Sequence, residues 1–233
     1  MVKHSRRFWV TGASNGLGLA VVERLLEQGH RVAASSKDSD TLDNLAVGHG
    51  QSLLRLPGHL PLPELAEAAH QQIADNWGAL DVLIVNAGTC DYLSHGLPAD
   101  ELFEAIASTN LTATEQCLGA AMALLEKGDQ PQVMAVFSRY SAVQLHTPSQ
   151  GPNAGNCAPQ WVRLQRPGLK ERGIDLTVVA PQSLKAPVAP VPAIPEPWTA
   201  QTAAEELLRR LPQREAELVL EVLEMQDMWP LPD

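Results

Sequence analysis

The feature that most constrains the fold of this chain is a glycine-rich turn near its start. Residues 8–10 are apolar and predict a strand, and residues 17–28 have the spacing of an amphipathic helix. Between them, residues 11–18 read Thr-Gly-Ala-Ser-Asn-Gly-Leu-Gly. A glycine turn that joins a strand to a helix is typical of a dinucleotide-binding site, because free N–H groups at the helix start face the pyrophosphate. The predicted contacts are Gly12, Ser14, Asn15, Gly16, Leu17 and Gly18.

Each glycine of this turn has an expected role. Gly12 lets the chain leave the strand in a tight turn, Gly16 lets the backbone approach a phosphate, and Gly18 lets the helix lie flat against the strand. An accidental turn of small residues is the alternative that this motif alone leaves open. The spacing is Gly-x-x-x-Gly-x-Gly, and with Thr11 in front it resembles the short-chain dehydrogenase/reductase family.

A second signature of the same family lies in the middle of the chain. Residues 80–85 are apolar except for Asp81 and predict a strand of a parallel sheet covered on both faces, which leads into Asn86-Ala87-Gly88. This turn is similar to the family's Asn-Asn-Ala-Gly, with Val85 in place of the first Asn. In the family it borders the adenosine side of the cofactor and stabilises the central sheet.

The alternation of apolar strands and amphipathic segments predicts an α/β fold with a doubly wound parallel sheet of the Rossmann type. We expect residues 1–233 to form a single domain, which the resemblance covers over nearly its whole length. Further predicted strands are 31–35, 52–56, 133–137 and 217–222, and further predicted helices are 62–77, 102–125 and 199–211. A helix that runs through Met225 is the alternative for the last of these strands.

The second predicted strand bears on the choice of cofactor. In dinucleotide folds an acidic residue near its end binds the ribose 2′-OH, whereas this chain has Ser35, Ser36 and Lys37. Two hydroxyls beside a cation suit a 2′-phosphate, so we predict NADP in preference to NAD. The alternative is that Lys37 is a solvated loop residue. After the third predicted strand, residues 57–59 replace the Asp that the family places near the adenine.

The resemblance also implies catalytic residues. Ser138, which ends the predicted strand 133–137, occupies the position of the family's active-site Ser. Asn110 matches an Asn of the family that helps to hold a water near the catalytic Lys. A helical Asn whose side chain is hydrogen-bonded to the backbone is nearly as good an interpretation. Tyr140 is a candidate replacement acid and His146 lies in the following loop, with a packed Tyr and a solvated His as the alternatives.

The pattern of the family breaks at its Tyr-x-x-x-Lys pair. Residues 170–181 resemble the family's later strand without a gap, and this register places Gly151 at the Tyr position and Gly155 at the Lys position. Neither tyrosine of the chain, Tyr92 or Tyr140, is followed by Lys four residues later. Glycine supplies neither the proton for a carbonyl oxygen nor the charge that tunes the Tyr pKa.

Further departures lie nearby. Gln182 replaces a Gly, and Ala186 replaces a Thr that often holds the cofactor's carboxamide. Pro159 and Pro167 fall in the segment that should be a long helix, so we predict that this helix is shortened, kinked or broken. The sequence therefore predicts a retained adenosine half and a dismantled nicotinamide half of the site.

Composition limits the partners. The net charge of −10, without a basic run, disfavours nucleic acid and anionic membranes, and the apolar runs are too short for a spanning helix. The basic residues 1–7 lead into a strand and not into a signal peptide's apolar region. The three cysteines show no metal spacing and predict free thiols in the cytoplasm.

Two segments near the end suggest other contacts. Residues 187–197 carry a proline at every second or third position and favour polyproline II, in the place of the family's substrate lid. An exposed ligand for a partner domain is the alternative. The residues Met225, Met228 and Trp229 form an apolar tail that fits an oligomer contact, and we expect a homo-oligomer, such as a dimer, or a paralogous partner.

Two hypotheses of function follow. The first is an oxidoreductase that uses NADP(H) on a small carbonyl substrate, with Ser138, Tyr140 or groups of the substrate replacing the lost acid. The second is a catalytically inactive protein that senses a nucleotide or scaffolds a partner. The fold alone does not choose between them.

Overall fold

The computed structural model describes residues 5–36, 40–87, 99–137, 157–180, 193–194 and 199–220. The strands are β1 (Arg7–Thr11), β2 (Arg31–Ser35), β3 (Leu53–Leu56), β4 (Val82–Ala87), β5 (Gln132–Phe137), β6 (Asp175–Ala180), β7 (Ala193–Ile194) and β8 (Glu217–Leu220). The helices are α1 (Gly16–Glu27), α2 (Asp40–His49), α3 (Pro63–Trp77), α4 (Ala99–Leu125), α5 (Ala158–Glu171) and α6 (Ala200–Arg210).

All of these strands pair in one parallel sheet. Their order is β3-β2-β1-β4-β5-β6-β8-β7, so the chain first winds outward from β1 and then crosses back to β4 on the other side of it. The direction of winding therefore reverses between β1 and β4. In open α/β sheets a ligand crevice forms at such a point, outside the carboxyl ends of the strands. The predicted doubly wound parallel sheet is confirmed.

The sheet buries both of its faces, because residues along each strand alternate between two cores. One core lies against α3, α4 and α5, and includes Trp9 of β1 and Leu83 of β4. The other lies against α1, α2 and α6, and includes Phe8, Val10 and Ile84. Burial of each such side chain stabilises the fold by roughly 1.5–3 kcal/mol. The glycine turn after β1 is thus carried on a strand buried on both sides.

Helix ends follow the local chemistry of the sequence. Pro63 lies in the first turn of α3, where the missing N–H costs nothing, and Gly78 ends the same helix at a φ of +69°. Thr199 caps α6 by accepting a hydrogen bond from the Thr202 N–H at 3.1 Å. These signals explain why the predicted and observed bounds of α3 and α6 differ by only one residue.

Helix α2 was not predicted. Of its ten residues only Leu42 is buried, and Val47 is 88% exposed, so the segment lacks the apolar stripe by which an amphipathic helix is found. The predicted strand at 217–222 is present as β8, which ends at Leu220 within the described residues.

The prediction that the fifth helix is broken at Pro159 or Pro167 is wrong for the described part of the segment, whereas a shortened helix agrees with its start at Ala158, next to Pro159. Pro159 lies in the first turn of α5, where proline is tolerated, and α5 continues through Pro167 to Glu171. Pro167 is exposed, so the carbonyl group four residues earlier, on Arg163, faces a side of the helix that water reaches.

A buried ion pair fixes the amino ends of the strands. The Asp81 side chain, which is 3% exposed, accepts hydrogen bonds from the Arg7 guanidinium (2.6 and 3.0 Å), the Arg7 N–H (2.8 Å) and the Asp129 N–H (2.7 Å). Burial by itself would raise the pKa of Asp81, but these hydrogen bonds hold it below its ordinary value. The pair joins β1 to β4 and to the turn before β5.

The proline-rich segment is described at two residues only. Ala193 and Ile194 form β7, which pairs in parallel with β8, so at these two residues the expected free polyproline II is replaced by strand pairing. The other residues of 187–197, and the apolar tail with Met225, Met228 and Trp229, lie outside the described residues. In the described part of the chain, no helix is long and apolar enough to cross a membrane.

Candidate functional site

The glycine turn lies at the carboxyl end of β1, beside the end of β4. Gly12 has a φ of +63°, as the predicted tight turn requires, and a Cβ atom on it would lie 2.4 Å from the Asn86 carbonyl oxygen. A Cβ atom on Gly18 would lie 2.0 Å from the Gly12 carbonyl oxygen. Backbone therefore occupies the side-chain space of both glycines, and α1 starts in direct contact with the turn.

Gly16 differs from the other two glycines. It is the first residue of α1 and is exposed, its φ is +52°, and no atom lies within 4 Å of where its Cβ would be. Asn15 in front of it is extended and makes no side-chain cap to the helix, and the first turn carries no acidic residue. The start of α1 thus presents N–H groups and open space, a combination that favours an anionic ligand.

A hydrogen-bond network joins the two sequence signatures. The Asn86 N–H donates to the Thr11 hydroxyl at 3.0 Å, and the Asn86 side-chain amide donates to the Gly12 carbonyl at 3.2 Å. Thr11 is 4% exposed and Asn86 is half-buried. Sequence reasoning placed both motifs at the site but missed this link. Its signal in the sequence is a polar residue near the end of each strand beside the reversal of winding, Thr11 in β1 and Asn86 in β4.

The structure argues against the prediction that Ser35 offers its hydroxyl to a 2′-phosphate. Ser35 is 1% exposed, and its hydroxyl accepts a hydrogen bond from the Trp9 indole N–H at 2.9 Å. The Ser35 carbonyl accepts the Ala13 N–H at 3.2 Å. Ser36 is half-buried at the end of β2, and Lys37 lies outside the described residues.

The other predicted cofactor contacts surround the turn. Ser14 and Leu17 are half-buried and Asn15 is exposed. Ala87 is the last residue of β4, and Gly88 lies outside the described residues. The structure therefore brings residues 12–18, the end of β2 and the end of β4 to one edge of the sheet.

Asn110 lies inside α4 and is 3% exposed. Its carbonyl accepts the Thr114 hydroxyl at 2.8 Å, whereas its side-chain Nδ2 finds no acceptor in the part of the chain that the structure describes. Within the described residues, therefore, no backbone carbonyl accepts a hydrogen bond from its amide N–H groups. The predicted catalytic residues Ser138 and Tyr140, together with His146, Gly151 and Gly155, lie outside the described residues.

The described cysteines are not activated. Cys117 and Cys157 are buried free thiols, and burial raises the pKa of each. Both are protonated near neutral pH and are therefore poor nucleophiles. Cys90 lies outside the described residues, and within those residues no group of His, Cys, Asp or Glu side chains is arranged to hold a metal.

Comparison with known families gives one match over most of the sequence. Residues 7–190 match the family described as short chain dehydrogenase. The matched segment contains the glycine turn, the Asn86 turn and six of the eight strands.

Two curated relatives act on dihydrodiols. A cis-2,3-dihydrobiphenyl-2,3-diol dehydrogenase of Paraburkholderia xenovorans is 32% identical over 123 residues, which are 49% of this chain and 44% of that protein. A cis-1,2-dihydrobenzene-1,2-diol dehydrogenase of Pseudomonas putida is 31% identical over 131 residues, 55% of this chain and 48% of that protein. The similarity thus spans about half of the length of these relatives.

Solved structures share the fold. A short-chain dehydrogenase from Streptomyces avermitilis superposes with a TM-score of 0.71 at 16% identity, covering 95% of this chain and 89% of the other. An NADPH-bound carbonyl reductase from chicken fatty liver has a TM-score of 0.61 at 23% identity, covering 76% and 79%. At these identities the likeness shows the fold alone, and any cofactor or substrate must be inferred from the residues of the site.

Proposed function

This chain belongs to the short-chain dehydrogenase family, and on that premise we propose that it binds NADP(H) at the glycine turn of residues 11–18. The observation that carries the proposal is the contrast among the three glycines. Backbone fills the side-chain space of Gly12 and Gly18, whereas the space beyond Gly16 is open at the start of α1. Other left-handed glycines that face open space, such as Gly29 and Gly78, follow helix C-termini, whereas Gly16 lies at a helix N-terminus, where N–H groups favour an anion.

The described residues fit such a cofactor. The N–H groups at the start of α1 would hold the pyrophosphate, and the ends of β2 and β4, with Ser36 and Asn86, would border the adenosine. When bound, the nicotinamide supplies or accepts a hydride. The residues of this chain orient the cofactor by backbone contacts and by the network through Thr11 and Asn86.

A preference for NADP(H) over NAD(H) rests on fewer residues than the sequence indicated. Because the Ser35 hydroxyl is engaged by Trp9, the proposal depends on Ser36 and Lys37. No acidic residue stands at positions 35–37, so nothing there repels a 2′-phosphate or favours a free 2′-OH.

For the chemistry, we propose an oxidoreductase site that performs ordinary carbonyl reduction poorly. In the register predicted from residues 170–181, the family's Tyr and Lys positions are Gly151 and Gly155, and both precede Cys157, the N-cap residue of α5. A positioned acid contributes about 10²–10⁴-fold to the rate, and the orienting Lys is lost with it. A catalytically inactive nucleotide sensor or scaffold is the second candidate, favoured by the same two substitutions.

The test of this chemistry is NADPH oxidation with a panel of small ketones, quinones and acyl thioester ketones. We expect turnover far below the ordinary range of about 1–10³ s⁻¹. Robust turnover would refute the proposal of a degenerate site. If residual activity is lost in Tyr140→Phe but kept in Ser138→Ala, Tyr140 is a relocated acid; if it survives both changes, the proton comes from solvent or substrate.

Assembly and location are part of the proposal. We propose that the chain works in the cytoplasm as a homo-oligomer or with a paralogous chain, and that its substrate is a small carbonyl compound. Light scattering of the purified chain tests the first point, and a monomer at micromolar concentration would leave only the paralogue.

A further inference from the structure

A buried tryptophan is hydrogen-bonded at the edge of the candidate site. Trp9 of β1 is fully buried, and its indole N–H donates to the Ser35 hydroxyl at 2.9 Å. In the parallel register Trp9 lies beside Ala33, so Trp9, Ala33 and Ser35 share one face of the sheet. The small Ala33 leaves room for the indole to reach the residue two positions further along, where β2 ends.

The contact continues through Ser35 to the glycine turn. The Ser35 carbonyl accepts the N–H of Ala13, which is fully buried directly after Gly12. Ser35 also lies opposite Thr11 in the sheet, and the Thr11 hydroxyl accepts the Asn86 N–H. The tip of β2, the turn and the end of β4 are therefore joined in one connected set of hydrogen bonds, with the Trp9 indole at its base.

We propose that Trp9 and Ser35 form a positioning pair for the dinucleotide site. Trp9 fixes the tip of β2 through the Ser35 hydroxyl, and the Ser35 backbone fixes the first turn residue, so the pair sets the spacing between the glycine turn and the residues that border the adenosine ribose. Ser35 itself touches no cofactor, and reading of the ribose 2′ position falls to Ser36 and the residues after it. This inference rests on the proposed dinucleotide binding.

The Trp9–Ser35 pair could contact the ligand, only stabilise the core, or position the site, and each role predicts a different change in the dissociation constants for NADPH and NADH. A positioning pair acts on the whole adenosine half, so its loss weakens NADPH and NADH by the same factor. A residue that reads the ribose would change the ratio of the two affinities. A pair that only stabilises the core would lower the midpoint of unfolding and leave both dissociation constants unchanged in the folded protein.

The two single substitutions leave complementary buried groups unpaired. Trp9→Phe keeps an aromatic ring but leaves the Ser35 hydroxyl without its indole donor, and Ser35→Ala leaves the indole N–H without its acceptor. We expect each to raise the dissociation constants for NADPH and NADH alike by about three- to tenfold. The double variant removes both partners, so its effect should be smaller than the product of the two single effects.

The experiment titrates the full-length chain and the three variants with NADPH and NADH, well below each midpoint of unfolding. Trp77→Phe is the matched control, because Trp77 packs against the same core from the far end of α3. Equal rises for both dinucleotides, absent in the control, support the proposal. Unchanged constants, a changed NADPH-to-NADH ratio, or an equal effect of Trp77→Phe would each overturn it.

Amide exchange supplies a readout that needs no ligand. In the ligand-free protein, Trp9→Phe and Ser35→Ala should speed exchange of the Ala13 amide by about three- to tenfold, whereas Trp77→Phe should leave it unchanged. Unchanged Ala13 exchange in both variants overturns the inference. If the unaltered chain binds neither dinucleotide, the proposed function fails by itself, and the exchange data still decide the positioning role. If Trp9→Phe does not fold, Ser35→Ala alone carries both measurements.

Discussion

Two glycine-to-alanine substitutions in the same turn should differ in how much stability and how much cofactor binding they lose. In Gly18→Ala the new methyl group would lie 2.0 Å from the Gly12 carbonyl oxygen and 2.8 Å from the Asn86 Nδ2. The start of α1 must therefore move by about 1.4 Å before an ordinary contact of 3.4 Å is reached. Overpacking of this kind costs roughly 1–3 kcal/mol, and the loss of the hydrogen bond from Asn86 to Gly12 costs about 1 kcal/mol more.

The net cost of Gly18→Ala is smaller than that total, because alanine is favoured over glycine in a helix by up to about 1 kcal/mol. We expect a net loss of about 2 kcal/mol in the free energy of unfolding, which lowers the Tm of a chain of this length by roughly 4–8 °C. In Gly16→Ala the methyl group meets no atom within 4 Å, and only the left-handed φ of +52° costs about 1 kcal/mol. Its Tm should fall by roughly 2–4 °C.

Binding should rank the two glycines differently. At Gly16 the methyl group enters the open space at the start of α1 and separates the N–H groups from a phosphate. Losing a hydrogen bond to a charged group costs about 1.5–3 kcal/mol, so the dissociation constant for NADPH should rise at least about tenfold. Gly16→Ala should therefore weaken NADPH binding strongly although it destabilises the fold less than Gly18→Ala does.

The assay combines thermal unfolding with NADPH fluorescence titration. Gly119→Ala is the matched control, since Gly119 is an exposed residue of α4 with nothing within 4 Å of its Cβ position. It should be neutral or stabilising by up to about 1 kcal/mol. The reasoning is refuted if Gly16→Ala binds NADPH like the unaltered chain, or if Gly18→Ala unfolds at the same temperature as the unaltered chain.

Three further predictions concern other residues. Because the pKa of Asp81 is held below its ordinary value, its contribution to stability is present above about pH 4 and is lost as the pH falls further. Asp81→Asn should cost roughly 3 kcal/mol of unfolding free energy at pH 7. When the urea midpoint of unfolding is measured against pH, this variant should show a smaller fall at acid pH than the unaltered chain. Asn110→Leu removes a buried amide without an acceptor in the described structure, so the Tm should stay the same or rise, and a fall of several degrees would show that the amide is satisfied. The double change Gly151→Tyr and Gly155→Lys should not restore ketone reduction, because both positions precede the N-cap of α5; recovered turnover would contradict this.

The sheet was predictable from the sequence because its strands are short, apolar and separated by helical periodicity. The run 82–85, for example, is apolar throughout, as a strand covered on both faces must be, and it lies within β4 at Val82–Ala87. The turn at Gly12 was equally predictable, since a left-handed φ between a strand and a helix needs glycine.

The errors arose where a side chain's neighbours decide its role. Ser35 was assigned to the cofactor because it ends β2, but the sequence does not reveal that the Trp9 indole reaches it across Ala33. Pro167 was expected to shorten, kink or break this helix, yet α5 continues through it, and Pro167 lies on an exposed side of the helix that water can reach. The link between Thr11 and Asn86 joins residues 75 positions apart and becomes visible only in the folded chain.

Binding of dinucleotide to the unaltered chain tests the central claim most directly. Calorimetric titrations with NADPH and with NADH, in one buffer of stated ionic strength, should both saturate, with NADPH the tighter of the two. Binding should be weaker than in family members that keep the Lys, since Gly155 supplies no contact to the nicotinamide ribose. Tighter binding of NADH would contradict the role of Ser36 and Lys37, and no binding of either dinucleotide at millimolar concentration would contradict the account as a whole.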